Sequence, residues 1–189
     1  MEKRRRVVIT GLGVVSPVGS NVEKFWENIT AGKSGIGRIT KFNTEGFPVQ
    51  IAGEVKDFNP SDYFDRKEAR RTDPFIQFAV GAATQAVKSA GLDSADVDKE
   101  RVGVLIGSGI GGLTTIEEQH SVLLNKGPRR VSPYCVPMEI INMASGIVSI
   151  RFGFKGPNIS VVTACATGTH AIGEAYRTIL YGDADVMVA

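Results

Sequence analysis

The sequence contains few of the residues that build metal centres and disulfide frameworks. Its 189 residues include two cysteines, Cys135 and Cys165, and two histidines, His120 and His170. Two cysteines 30 positions apart cannot form a disulfide-rich scaffold, and neither pair has the short spacing that is typical of zinc ligands. The composition therefore predicts a protein of a reducing, cytoplasmic compartment without a structural metal.

Strong net charge and long apolar runs are also missing. The formal net charge is +2, which is too small to indicate a nucleic-acid-binding protein. No apolar run approaches the roughly 18 residues that a membrane helix requires. At the start of the chain, Thr10, Gly11 and Gly13 interrupt the apolar run, so we interpret Arg6 to Thr10 as a strand rather than a signal peptide. We expect no membrane and no nucleic-acid partner.

The sequence does contain alternating strand and helix patterns, which predict an α/β fold with a mixed or parallel sheet covered by helices. The best-marked helix starts at Asp73 and Pro74, which are typical of a helix N-terminus, and stops at Gly91. Helices are also predicted around "NVEKFWENITAG", "NPSDYFDRKEARR", 113–124, "MEIINMASGIVSIRFG" and "TGTHAIGEAYRTILYG", and strands at Arg6 to Thr10, Val49 to Val55, "RVGVLIGSG", "NISVVTA" and "DADVMVA".

One glycine motif imitates a nucleotide-binding loop. Gly107, Gly109 and Gly112 match G-x-G-x-x-G between a predicted strand and a predicted helix, as a dinucleotide fingerprint does. The acidic residue that would bind a ribose about 20 positions later is missing, because residues 125–131 read NKGPRRV. A nucleotide-dependent enzyme stays open as an alternative. The other interpretation is a tight turn whose backbone packs close to a neighbour.

Cys165 occupies the most informative position in the chain. It lies in "SVVTACATGTHAIG", residues 160–173, where a β-branched run meets a helical pattern among small residues. The unpaired N–H groups and the dipole at a helix start favour a thiolate, so this position suits a nucleophile. The alternative is a small buried apolar residue. His170 lies about 140° around the helix from Cys165, so neither it nor His120 is predicted to be the base.

Six segments together are similar to one known family. They cover almost the whole chain and resemble the N-terminal half of the β-ketoacyl-[acyl-carrier-protein] synthase II family, the condensing acyltransferases of bacterial type II fatty acid biosynthesis. The segments are "RRVVITGLGVVSPVG", "FWENITAGKSGI", "RKEARRTDPFIQFA", "GVLIGSGIGGL", "GPRRVSPY" and "GPNISVVTACATGTHAIGEAYRTILYGDADVMVA".

The resemblance implies a thiolase-like layered α-β-α-β-α fold, with residues 1–189 as the N-terminal half and the C-terminal half absent from this chain. It implies a homodimer that works with acyl carrier protein. In the implied reaction Cys165 receives an acyl group from the phosphopantetheine of the carrier, and decarboxylation of malonyl-carrier protein supplies the carbanion that attacks it. The products are 3-oxoacyl-carrier protein and CO2. The scheme needs no metal and no other cofactor.

The resemblance also implies roles for single residues. The amide of Cys165 would form part of an oxyanion hole, and Ile110 would line the acyl pocket. Cys135 stands where relatives often carry an aromatic residue at that pocket, which leaves the preferred chain length open. The remaining catalytic groups, two histidines and a lysine, belong to the half that is absent, and His120 and His170 do not match them.

A basic segment has two interpretations. The resemblance places Lys67, Arg70 and Arg71 at the surface that docks the acidic carrier protein. The alternative is an ordinary solvated face, partly neutralised by neighbouring carboxylates such as Asp65 and Glu68. A non-catalytic fragment that only dimerises or binds carrier protein is the alternative to the enzyme, although the presence of Cys165 argues against a chain-length factor.

Overall fold

The computed structural model describes residues 5–189, which form seven α-helices and two small β-sheets. The helices are α1 (Val22–Thr30), α2 (Arg66–Ala69), α3 (Pro74–Ser89), α4 (Leu113–Lys126), α5 (Cys135–Glu139), α6 (Met143–Phe152) and α7 (Thr167–Tyr181). The strands are β1 (Ile36–Arg38), β2 (Ile51–Gly53), β3 (Val102–Leu105), β4 (Asn158–Ile159) and β5 (Val186–Val188). The predicted α/β class is confirmed.

The central sheet has the order β4-β3-β5, and both pairings are parallel. The connection from β3 to β4 and the connection from β4 to β5 run in opposite directions across the sheet. Because such crossovers are right-handed, the two helices that precede β4 and β5 belong on opposite faces. Helix α6 accordingly contacts β3 and β4, and α7 contacts β3 and β5.

The core lies where β3 meets α3 and α6. All four residues of β3 are buried, as the predicted nearly all-apolar strand requires. Val102 and Val104 belong to one buried cluster with Val80 and Val87 of α3 and Val148 of α6. Burying each such side chain contributes about 1.5–3 kcal/mol, so this cluster holds the sheet and the two helices together.

A buried carboxylate fixes the start of α3. Asp73 caps the helix by accepting a hydrogen bond from the Phe75 amide, and it also accepts from the amide (3.0 Å) and the hydroxyl (2.7 Å) of Thr115 in α4. Asp73 and Thr115 are 4% and 2% exposed. The predicted N-cap is therefore correct, and its second oxygen additionally joins α3 to α4 through a residue 42 positions away.

We predict that Asp73→Ala destabilises the protein by about 2–4 kcal/mol, since a cap is lost and two buried donors of Thr115 lose their acceptor. Chemical denaturation measures the change. Asp65→Ala is the matched control, because Asp65 also caps a helix, α2, but is exposed, so it should cost only about 1 kcal/mol. Equal effects of the two substitutions would contradict the bridging role of Asp73.

The predicted first strand at Arg6 to Thr10 is wrong. This segment has no regular secondary structure, and Val8 and Ile9 are 62% and 80% exposed. Thr10 lies near β5, but within residues 5–189 no ladder pairing joins the segment to an edge of the sheet. The residues that follow run along α3, where a Cβ at Gly11 would lie 2.2 Å from the Ala86 carbonyl oxygen.

Asp185 binds Arg5, the first residue that the structure describes, next to the main sheet. Its carboxylate accepts hydrogen bonds from Arg101 (3.0 Å) and Arg5 (2.6 Å). These bonds, that of Arg101 first, lower the pKa of Asp185 to about 2. The ion pairs bring the start of the described chain to the residue that precedes β5.

Three other elements differ from the prediction in extent. Strand β2 covers only Ile51–Gly53 of the predicted Val49 to Val55 and pairs antiparallel with β1, which was not predicted. The predicted helix ending at Gly153 is divided into α5 and α6, because Ile140 adopts an extended conformation. Strand β4 keeps only its first two residues, since the chain beyond Ile159 leaves the ladder to form a turn.

The chain exposes an unusually large surface. Its accessible area is 12289 Å², whereas a compact monomer of 20.2 kDa exposes about 8,700 Å². Apolar side chains contribute strongly, among them Ile150 at 79%, Leu124 at 71% and Ile172 at 61% exposed. So much exposed apolar surface indicates that other protein covers part of it. Within residues 5–189, none of the helices combines the length and apolar character needed to cross a membrane.

Candidate active site at the Cys165 turn

Cys165 lies on an exposed turn immediately before α7. A single 3-10 turn, Ala164–Ala166, carries it, and α7 begins at Thr167. Cys165 is exposed and has no disulfide partner, and Cys135, also free, is only half-buried. The structure therefore places Cys165 at the start of a helix as predicted, and it does not bury this residue in apolar packing.

The backbone of this turn is strained. Ala164 has φ of 50°, and it is the only non-glycine residue with a positive φ among residues 5–189. For a residue with a Cβ this left-handed conformation costs about 1–3 kcal/mol and persists only where surrounding contacts enforce it. Cys165 follows this residue directly and is exposed, and sharp strand-to-helix turns present the nucleophile in some enzyme families.

Thr167 supplies two of the contacts that enforce the turn. Its hydroxyl accepts a hydrogen bond from the Thr163 amide at 2.9 Å and donates one to the Ala164 carbonyl at 2.7 Å. Thr167 is 5% exposed. Its side chain therefore ties the residues on the N-terminal side of Cys165 to the first turn of α7.

The loop between β3 and α4 presses against the same turn. A Cβ at Gly107 would lie 2.3 Å from Thr167 Cγ2 and 2.5 Å from the Val161 carbonyl oxygen, and one at Gly109 would lie 3.7 Å from the Ala164 carbonyl oxygen. On its other side the loop meets α5, where a Cβ at Gly112 would lie 2.4 Å from the Met138 carbonyl oxygen. The glycines are required for packing within the chain, which leaves Gly107 and Gly112 no open face for a pyrophosphate.

Ser145 holds the ends of β3 and β4 together beneath this loop. Its hydroxyl oxygen lies 2.9 Å from the Ile106 amide and 2.9 Å from the Ile159 carbonyl oxygen. Ser160 adds a hydrogen bond to the Ile106 carbonyl. Sequence reasoning missed Ser145, because the only available signal was a serine in the apolar sequence of α6, which also contains Ser149.

The two histidines are not placed at the sulfur. His170 is half-buried, and its Nδ1 lies 3.3 Å from Thr163 Oγ1. His120 is exposed on α4. Among the hydrogen bonds of residues 5–189 none joins either histidine to Cys165, and in the same residues no group of three or more His, Cys, Asp or Glu side chains could hold a metal ion.

The other predicted pocket residues lie on neighbouring elements. Ile110 is 69% exposed and follows Gly109, so the loop that approaches Ala164 also presents Ile110. Cys135 is the first residue of α5 and is half-buried; α5 contacts α4 and α6. The structure thus places the loop that carries Ile110 against the Cys165 turn. Cys135 is linked to this turn only indirectly, because the backbone of its helix, α5, contacts the same loop.

The predicted docking residues Lys67, Arg70 and Arg71 are all exposed, in and directly after α2. The nearby carboxylates are already engaged, because Asp65 caps α2 and Glu68 completes the capping box and pairs with Arg151 at 3.7 Å. The two backbone amides that donate hydrogen bonds to Asp65 lower the pKa of its carboxyl group.

The three basic residues differ in their contacts. Arg71 stacks over the Tyr134 ring at 4.2 Å. Lys67 and Arg70 make no ion pair within residues 5–189, so they present free positive charge.

Comparison with known sequences identifies related proteins over the full chain. Residues 4–189 match the family model described as beta-ketoacyl synthase, N-terminal domain. The chain is 56% identical over 189 residues to 3-oxoacyl-[acyl-carrier-protein] synthase 2 of Coxiella burnetii and 55% identical over 188 residues to the protein of the same name of Staphylococcus aureus strain N315. It spans 45% of the length of each of these curated relatives.

Solved structures agree with the sequence comparison. The fold is similar to that of the ishigamide ketosynthase/chain length factor, with a TM-score of 0.86 and 32% identity over 98% of this chain and 46% of the other. It is also similar to a structure described as a type II polyketide synthase acyl-carrier protein in complex with its ketosynthase bound to the hexaketide, with a TM-score of 0.78 and 26% identity over 97% of this chain and 49% of the other. The layered α/β architecture is therefore the thiolase-like fold of ketosynthases.

Proposed function

Because the chain belongs to the β-ketoacyl synthase family and matches its N-terminal domain, we propose that it carries the nucleophile of a decarboxylative condensation in fatty acid biosynthesis. The observation that supports this most directly is an exposed cysteine on a strained turn at the start of a 15-residue helix. The relatives named 3-oxoacyl-[acyl-carrier-protein] synthase 2 suggest the substrates, which are acyl and malonyl thioesters of acyl carrier protein.

In the first step the Cys165 sulfur attacks the carbonyl carbon of an acyl thioester. The carbon–sulfur bond to the phosphopantetheine arm breaks, and the arm leaves as a thiol when it takes up a proton. The Cys165 amide donates no hydrogen bond within residues 5–189, so it is free to donate to the oxyanion that forms. Backbone donors fixed before the reaction stabilise such an oxyanion without reorganisation.

In the second step malonyl-acyl carrier protein loses CO2, and the resulting carbanion attacks the acyl-enzyme carbonyl. A carbon–carbon bond forms and the Cys165 thiolate leaves, which gives 3-oxoacyl-acyl carrier protein and restores the nucleophile. His120 and His170 do not reach the sulfur. We therefore assign the groups that stabilise the carbanion, and the second oxyanion donor, to protein outside residues 5–189.

The exposed apolar surface fits a chain that other protein covers, and we propose a cytoplasmic homodimer. The excess of accessible area over a compact monomer is about 3,500 Å², which is more than the roughly 800 Å² that each partner buries in a standard interface. A non-catalytic role in dimerisation or carrier binding is the second candidate, since the same surface also favours it. The two candidates differ in whether Cys165 carries an acyl group.

Transfer of the acyl group is the direct test. The intact protein is incubated with acyl-acyl carrier protein, and its mass is measured by mass spectrometry after proteolysis. We expect a thioester adduct on the peptide that contains Cys165 and none on the peptide that contains Cys135. An unmodified Cys165 at saturating carrier concentration would reject the catalytic proposal in favour of the non-catalytic one.

For substrate binding we propose that Ile110 and Cys135 line the acyl pocket. Ile110 is supported by its place on the loop that touches the Cys165 turn, and Cys135 by the contact of α5 with the same loop. A half-buried cysteine at this position is smaller than an aromatic side chain, so the pocket leaves more room there. No metal and no cofactor beyond the carrier's phosphopantetheine enters this scheme.

We propose that Lys67, Arg70 and Arg71 dock acyl carrier protein, and the free charges of Lys67 and Arg70 lead to a prediction. Lys67→Glu with Arg70→Glu should weaken carrier binding by about tenfold at low salt and less at high salt, because screening weakens exposed charge pairs. Fluorescence titration at several ionic strengths measures this. Lys88→Glu with Lys155→Glu, at one exposed lysine in α3 and one in the loop after α6, is the charge-matched control. Equal losses in the two double variants would contradict the assignment.

A further inference from the structure

Thr167 is the side chain that joins the two ends of the turn carrying Cys165. It accepts from the Thr163 amide and donates to the Ala164 carbonyl, at 2.9 Å and 2.7 Å. These two groups belong to the residues directly before Cys165, and Thr167 itself is the second residue after it. The hydroxyl therefore closes a small ring of hydrogen bonds around the nucleophile.

The position of this ring indicates a role beyond helix capping. Ala164 lies in the left-handed region at φ of 50°, a conformation that a neighbouring contact must hold for a residue with a Cβ. The Thr167 hydroxyl bonds to the carbonyl of Ala164 itself. Its methyl carbon is the atom closest to the position that a Cβ at Gly107 would take, so the same side chain also packs toward the loop that carries Ile110.

His170 supports the ring from the next turn of the helix. Its Nδ1 lies 3.3 Å from Thr163 Oγ1, so Thr163 contacts α7 through its amide at Thr167 and through its side chain at His170. Positions 167 and 170 lie on one face of a helix. Helix α7 thus holds the residue before the turn at two points, and Thr167 provides the buried one.

We infer that Thr167 is a positioning residue that holds Cys165 in the orientation needed for attack on a thioester. The catalytic meaning of this inference depends on the proposed function, but its physical content does not. If the hydroxyl is removed, Ala164 is free to relax from the left-handed region and the sulfur loses its fixed direction. The thiol should then react more slowly even with a small electrophile that needs no binding site.

The experiment compares three variants of the intact protein. Thr167→Val keeps the shape of the side chain but removes the hydroxyl, Thr167→Ser keeps the hydroxyl, and Thr178→Val removes a hydroxyl from the same helix. Thr178 donates to the Glu174 carbonyl at 2.8 Å, 13 residues from Cys165, so it is the matched control. The second-order rate constant for alkylation of Cys165 by iodoacetamide is measured together with kcat and KM for condensation.

We expect T167V to slow alkylation by about tenfold, which corresponds to the loss of one or two hydrogen bonds. T167S should stay within about twofold of the wild type, as should T178V. In condensation T167V should lower kcat and leave KM for the acyl carrier substrate unchanged, because the residue lies at the turn and not on the exposed docking surface. Thermal melting identifies the temperature at which every variant is folded, and rates are compared there.

An alkylation rate of T167V equal to that of the wild type would overturn the inference, and so would an equal loss in T178V. If T167V does not fold, Thr167→Ala, which removes the hydroxyl together with the methyl group that packs toward Gly107, replaces it in the same comparison. Failure of the proposed function gives a different result: Cys165 of the wild type would then accept no acyl group from the carrier, while the ranking of alkylation rates would remain.

Discussion

Cys165→Ala abolishes condensation and acyl-enzyme formation, which is the largest effect we expect from any single substitution in this chain. The sulfur is both nucleophile and leaving group in the proposed reaction, and no other side chain within residues 5–189 is placed on the strained turn to replace it. Loss of a covalent nucleophile reduces kcat by about 10³-fold or more. Condensation is measured with acyl- and malonyl-acyl carrier protein, and the acyl-enzyme by intact mass.

Cys135→Ala is the matched control for this variant. Cys135 is the other free cysteine, but it begins α5 and is half-buried, so it lacks the exposed turn before a long helix. Its removal should leave acyl-enzyme formation intact and affect at most the choice of acyl chain. Full acylation of the Cys165→Ala protein would contradict the assignment of the nucleophile, and so would loss of acylation in Cys135→Ala alone.

Gly107→Ala should have the second largest effect. The added Cβ would lie 2.5 Å from the Val161 carbonyl oxygen and 2.3 Å from Thr167 Cγ2, and the first of these contacts is with backbone that cannot rotate away. We expect a loss of about 3 kcal/mol in the free energy of unfolding, since overpacking at a rigid contact costs this much. Condensation should also fall, because Thr167 must move. Denaturant unfolding and kcat measure the two effects.

Gly173→Ala provides the contrast. Gly173 lies inside α7, and a Cβ there would meet nothing within 4 Å. Alanine is favoured over glycine in a helix interior by about 0.5–1 kcal/mol, so this variant should be slightly more stable than the wild type. Opposite signs for Gly107→Ala and Gly173→Ala support close packing at the loop. A neutral Gly107→Ala would show that the loop has room, and would reopen it as a ligand site.

The elements that sequence predicted correctly are those whose signals are local. Asp73 and Pro74 begin α3, and Gly91 follows its end, because caps and breakers act within one turn of the chain. The buried strand β3 was predicted from an unbroken apolar run. The placement of Cys165 at the start of α7 has the same origin, since a β-branched segment, small residues and a helical pattern follow one another directly.

The features that sequence did not predict depend on partners far along the chain. The segment Arg6 to Thr10 has strand-forming residues, but a strand needs a ladder partner, and within residues 5–189 this segment pairs with none. The second oxygen of Asp73 binds Thr115, and Ser145 binds β3 and β4; no local pattern identifies either pair. Gly107, Gly109 and Gly112 matched a nucleotide-binding motif that lacked its acidic residue, and only the structure showed which atoms surround these glycines.

Residue order alone therefore indicated most helix starts and ends, the buried strand and the place of Cys165 at a helix N-terminus, and the resemblance indicated the family. The local features among these depend on interactions between residues a few positions apart, which form whatever the rest of the chain does. Tertiary structure decided that the turn is strained, that Thr167 holds it and that the glycine loop packs against it. Such contacts join residues up to about 60 positions apart, and their existence depends on how the whole sheet is assembled.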